Sequence, residues 1–126
     1  MTGVLRADTT PAARPEGPFG HLDIRFLIGE HTGAGLVAFG QTTYPPGATH
    51  ELHHHPNAEE VVLVTSGRGD QVVGDETLVM GPGDVCFIPR QVPHRITAVS
   101  DEDLVIYWVL AGAASLEAAG YVPVAE

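Results

Sequence analysis

Between residues 21 and 110 the chain falls into runs of four to ten residues, and in several of them alternate positions divide into two distinct faces. In one run Glu60 shares a face with Val62 and Val64, while Glu59 falls with Val61 and Leu63. Another sets Ile106, Trp108 and Leu110 against Val105, Tyr107 and Val109, and a third sets Phe39, Gln41 and Thr43 on one face. A period of two is that of a β-strand with one side buried. The pattern predicts strands over 21–28, 35–44, 50–55, 60–65, 70–73, 76–80, 84–88, 94–99 and 104–110. Turn-forming stretches separate them, such as Pro45-Pro46-Gly47, Gly74-Asp75 and Gly81-Pro82-Gly83. So many short strands cannot be half-buried in one flat sheet. Two sheets face to face, or a barrel, is the economical arrangement, and the domain is all-β. Periodicity alone does not choose which face of 35–44 or 104–110 points inward.

The ends break the rhythm. Residues 1–18, with TTPAARPEGP at 9–18, offer little to bury and read as an irregular arm, flexible or ordered by a dimer. In the tail, 112–126, Ser115 is placed to cap one helical turn over 116–119 that Gly120 stops. This leaves a single domain over 19–111.

Composition narrows the partners. The chain has 126 residues, 44% of them hydrophobic, and a mean hydropathy of +0.08, enough apolar surface for one core. Six basic residues, all Arg, stand against sixteen acids for a net charge of −10. That field repels nucleic acid and anionic membranes, so neither is an expected partner. The longest strongly apolar stretch, 104–114, is too short to span a bilayer. A lone cysteine, Cys86, forms no internal disulfide and reads as a small core residue. A cytoplasmic protein is expected. Apolar strand faces such as Val61 and Leu63, with strand edges to cover, lead us to expect a homodimer.

Four of the seven histidines fall in the window HELHHH at 50–55. On a strand His53 and His55 share a face, roughly 6.5 to 7 Å apart, close enough for both rings to reach one metal ion, and His54 points the other way. After the break at Pro56, either Glu59 or Glu60 can bring a carboxylate back. His94 follows Val92-Pro93 some way downstream. A histidine run is more often a solvated surface feature; His-x-His on a strand beside an acid brings ligation level with that reading.

These residues resemble a known family. The stretch GATHELHHHPNAEEVVLVTSG at 47–67 matches the first cupin motif, G-x5-H-x-H-x3,4-E-x6-G, through Gly47, His53, His55, Glu60 and Gly67. The second motif, G-x5-P-x-G-x2-H-x3-N, is matched by Gly83, Pro89 and His94, with Gln91 and Ala98 where Gly and Asn are usual. The resemblance implies a double-stranded β-helix, the cupin jelly roll, holding one divalent transition metal (Fe, Mn, Ni, Co or Zn) on His53, His55, Glu60 and His94. In an octahedral ion those four ligands leave two positions open. The implied function is a metal-dependent enzyme acting on a small organic molecule. A dioxygenase-type oxidoreductase leads, ahead of a Lewis-acid cyclase or isomerase of the polyketide-tailoring kind and a ligand-binding cupin without catalysis. Phe39, Gln41, Tyr107 and Trp108 are the candidate pocket residues; Arg95 is an orienting charge or a solvated one.

Overall fold

The structure, a computed structural model, describes residues 4–12 and 21–126. Residues 1–3 and 13–18 of the expected arm, and residues 19 and 20 of the expected barrel, lie outside the described residues.

Ten strands among the described residues form two five-stranded antiparallel sheets. In chain order they are β1 (Asp23–Ile28), β2 (Val37–Tyr44), β3 (His53–His54), β4 (Glu59–Ser66), β5 (Gly69–Val73), β6 (Glu76–Met80), β7 (Val85–Ile88), β8 (His94–Ala98), β9 (Leu104–Ala111) and β10 (Val122–Pro123). One sheet runs β1-β2-β9-β4-β7, the other β10-β3-β8-β5-β6. The two packed sheets are what the strand pattern implies and the jelly roll is what the cupin resemblance implies; among the described residues there is one α-helical turn, α1 (Leu116–Ala119), near the end, besides short 3-10 turns at Ala7–Thr9 and Glu30–Thr32. The Ser115 hydroxyl caps that turn by accepting the Ala118 N–H at 3.0 Å. No helix among the described residues is long and apolar enough to cross a membrane.

Two elements differ from the expected strands. The strand expected at 50–55 contracts to β3, because the chain before it makes its hydrogen bonds another way: Thr49 forms an isolated bridge with Thr97, and the His50 ring accepts the Ile96 N–H at 3.3 Å. Strand β10 is an addition, pairing Val122 with His54 and Pro123 with His53.

Alternation decides what lies between the sheets. Val62 and Val64 from β4, Ile96 from β8, and Leu104, Ile106 and Leu110 from β9 are almost wholly buried. At about 1.5 to 3 kcal/mol each, their burial is a main source of stability. Trp108 joins them because Gly40, its register partner on β2, carries no side chain. A Cβ at Gly40 would stand 2.3 Å from the indole. Phe26 meets the same ring edge-on at 5.4 Å, and the indole N–H donates to the Thr42 hydroxyl at 2.9 Å.

The opposite faces of β2 and β9 carry Phe39, Gln41 and Tyr107, which corrects their expected place in the pocket. Phe39 and Tyr107 stack at 5.7 Å, and the Gln41 amide donates to the Tyr107 hydroxyl at 2.9 Å. Once Trp108 points inward, a two-residue period sends these three outward. Their face continues through Val61 and Leu63 to Val85 and Phe87 on β7, which are 63% and 55% exposed.

Candidate metal centre

His53 and His94 are direct register partners on β3 and β8, so sheet pairing alone places their rings 4.5 Å apart. His55 follows one step beyond β3, on the same side as His53 and buried like it, while His54 faces the other way and pairs with β10. Glu60 enters from the other sheet, second residue of β4. Its carboxylate oxygen lies 3.3 Å from Nε2 of His55 and 3.3 Å from Nε2 of His94. Glu59 stands exposed on the outer face of the same strand.

Backbone carbonyls fix the tautomer of all three histidines. Nδ1–H of His53 donates to the Glu51 carbonyl at 2.9 Å, that of His55 to Gly120 at 2.7 Å, and that of His94 to Val92 at 3.0 Å. A carbonyl accepts only, so each Nδ1 carries the proton and each neutral ring turns an unprotonated Nε2 inward. One ligand atom from each of the three rings lies within 4.8 Å of the others. His94 Nε2 is buried with no aligned hydrogen bond. Lone pairs facing a carboxylate oxygen repel unless a cation stands between them. Two ligands about 2.1 Å from one ion sit roughly 3.0 to 3.4 Å apart in octahedral or tetrahedral geometry, which the 3.3 Å separations meet. The donor set therefore fits a divalent ion of borderline hardness.

Electrostatics without a metal follow from the same contacts. Burial and the neighbouring His94 push His53 down to about 3, and burial takes His50 down to about 4. Burial also works against charge on His94, but the Glu60 carboxylate outweighs it and leaves His94 above its ordinary value. Burial alone would raise Glu60; with a proton rather than a metal ion between the groups, hydrogen bonding and charge from His55 and His94 instead hold it well below the carboxylate range. His50 is a structural neighbour rather than a ligand, since Nδ1 donates to the Glu51 carbonyl at 2.9 Å while Nε2 accepts from Ile96.

The centre opens on a cavity of about 90 Å³ walled by Ile24, Phe26, Ile106, Trp108 and Leu110, among others. Of the four expected pocket residues, the structure brings Trp108 to this cavity and leaves Phe39, Gln41 and Tyr107 outside it. Arg95 points away as well, paired with Glu126. Sequence reasoning missed the tail. Gly120 supplies the carbonyl that orients His55, and Tyr121 stacks on His53 at 4.5 Å while its hydroxyl donates to Glu51. It also missed Gln71, a polar residue at an inward position of β5, which the alternation of that strand would have flagged.

Comparison with known proteins agrees with this architecture. A family model described as "Cupin domain" matches residues 40–110. The polyketide synthase CurC of Streptomyces cyaneus is 31% identical over 101 residues, covering 79% of this chain and 66% of its own length. Protein SchB of Streptomyces halstedii is 29% identical over 99 residues, covering 78% of this chain and 69% of its own. An uncharacterised protein of Methanocaldococcus jannaschii is 29% identical over 69 residues; the match spans 55% of each chain. Among solved structures, the polyketide cyclase RemF of Streptomyces resistomycificus superposes with a TM-score of 0.83 at 22% identity, over 100% of this chain and 87% of RemF. A predicted oxalate decarboxylase of Thermotoga maritima gives 0.79 at 23% identity, over 87% of this chain and 99% of the other.

Proposed function

Because this chain belongs to the cupin domain family, whose model spans residues 40–110, we propose that it is a metal-dependent enzyme acting on a small organic molecule. The observation that carries this reading is the cluster of three carbonyl-locked histidines, two of them 3.3 Å from the Glu60 carboxylate, beside a largely apolar cavity. His53, His55, Glu60 and His94 would hold one divalent transition metal. Such an ion supplies Lewis acidity towards an enolisable carbonyl or a carboxylate, and oxygen activation where it is iron. Three neutral rings and one carboxylate leave the loaded site near +1, which favours an anionic oxygen of the substrate. The Trp108, Phe26 and Ile24 walls displace water from the rest of the molecule and strengthen that attraction.

Between the two chemistries we favour the cyclase or isomerase, since CurC and RemF are named for polyketide synthesis and cyclisation. The dioxygenase is the second reading. Loading the protein in turn with zinc, nickel and iron(II), and offering enolisable, phenolic and polyketide-type substrates with and without oxygen, separates them. Conversion that survives anaerobiosis and replacement of iron by zinc is the expected result. Conversion that needs both iron and oxygen would assign the dioxygenase; reversible binding without conversion would leave a ligand-binding protein. We also propose that a second copy covers the outer face of the first sheet around Phe87.

A further inference from the structure

Gln71 is 2% exposed and lies on the cavity wall, in the middle of β5. Its side-chain N–H groups are spent on backbone: Nε2 donates to the Val72 carbonyl at 3.2 Å and to the Arg95 carbonyl at 3.0 Å. Because both partners only accept, the amide can be oriented one way alone, with Oε1 as the free end. That oxygen is buried with no hydrogen-bond partner. Native proteins leave few such acceptors, and each calls for a reason. Thr42, another polar residue of the cavity, already accepts the Trp108 N–H.

Register places this acceptor relative to the centre. Val73 pairs with His94 and Gln71 with Ile96, so Gln71 and the ligand His94 are diagonal neighbours on adjacent strands, roughly 7 to 8 Å apart. One six-membered ring spans such a gap. The cavity volume of about 90 Å³ is below the roughly 150 Å³ of an enclosed apolar cavity that holds benzene, so a single small ring is the most it takes.

We propose that Gln71 is a specificity-determining acceptor and that the cavity takes a single-ring, largely apolar molecule with two polar ends. One end is an anionic oxygen facing His53, His55, His94 and Glu60; the other is an O–H or N–H that donates to Gln71 Oε1. This rests on the metal-centre reading above but not on turnover.

The test is calorimetric titration of the zinc-loaded protein with benzoate, 3-hydroxybenzoate, 4-hydroxybenzoate and 4-methoxybenzoate. The carboxylate is common to all four, and the donor differs. At least one hydroxybenzoate should bind about tenfold more tightly than benzoate, the worth of one well-made hydrogen bond. The methoxy compound should show no such gain. In Gln71→Leu the hydroxyl advantage should vanish while benzoate affinity and zinc content hold. Should that variant fail to fold, because the Val72 and Arg95 carbonyls lose their donor, the wild-type series decides by itself. Equal binding of benzoate and both hydroxybenzoates, an advantage that persists in Gln71→Leu, or no binding of any of the four at millimolar concentration would overturn the proposal. Hydroxyl-selective binding without turnover of any substrate would remove the enzyme and keep Gln71; turnover beside hydroxyl-indifferent binding would do the reverse.

Discussion

A proton and a metal ion compete for the inward nitrogens of the centre, and the buried histidines in and beside it differ in the sign of their response to pH. In metal-free protein His50 and His53 stay neutral down to about 4 and about 3, whereas an unfolded chain protonates them near 6.5. Their folded values lie below the unfolded ones, so stability falls as pH drops from about 6.5 towards 4. Two protons taken up only by the unfolded chain give a slope of roughly 2 to 3 kcal/mol per pH unit. His94 has the opposite sign. Raised by Glu60, it contributes stability below 6.5 and loses it as pH rises through its folded value. Urea unfolding in a chelating buffer should therefore show a maximum near neutrality and a steep acid limb; a flat profile from pH 7 to 4 would contradict the buried neutral histidines. Glu60→Ala should lower metal affinity by more than the roughly 10- to 100-fold typical of a supporting residue, and Glu59→Ala should leave it unchanged. The two substitutions compared by metal titration check the register across Pro56.

Short elements hold the centre from outside the two motifs. Gly120 sits at φ +82°, where side chains are disfavoured, and a Cβ there would lie 2.7 Å from the Pro56 ring. Gly120→Ala should move the carbonyl that fixes His55 and cost roughly 10- to 100-fold in metal affinity with the barrel still folded, readable by circular dichroism beside metal titration. Gln91, where the family pattern has Gly, adopts φ +69°, the one positive φ outside glycine among the described residues, and its N–H donates to the His55 carbonyl at 3.1 Å. The turn keeps its shape at a cost in strain. Gln91→Gly should raise stability by about 0.5 to 1 kcal/mol in urea melts. These elements also mark the limit of what the sequence makes legible. The alternation in β2, β4 and β9 is long enough to reveal strands, and His53-x-His55 reveals a shared face. Strand β10 has two residues, too few to carry a period, and the Gly120, Glu51 and Val92 carbonyls that orient the rings belong to the backbone, which no residue type announces. The inward face of β2 was hidden for a related reason: Gly40 gives Trp108 its space only once the register pairs them.

At the scale of the whole molecule, one feature asks for a partner: an outer sheet face that carries little of the chain's net charge of −10. From Phe39 through Val109 and Val61 to Phe87 the register sets one apolar row across four strands, ending on the exposed edge strand β7. A second copy on this face would cover it. Sedimentation equilibrium at micromolar concentration should return two copies for the native chain and one for Phe87→Glu; a native monomer would contradict the pairing. The described part of the expected arm touches the barrel within one chain, since the Arg25 guanidinium donates to the carbonyls of Ala7 at 2.6 Å and Thr10 at 3.2 Å. The central claim, that two sheets bring His53, His55, Glu60 and His94 together to hold one ion, is tested most directly by elemental analysis of protein purified without a histidine tag. One divalent transition-metal ion per chain, lost in His94→Ala and in Glu60→Ala while both variants stay folded, is the predicted result; a substoichiometric content that neither substitution alters would contradict it.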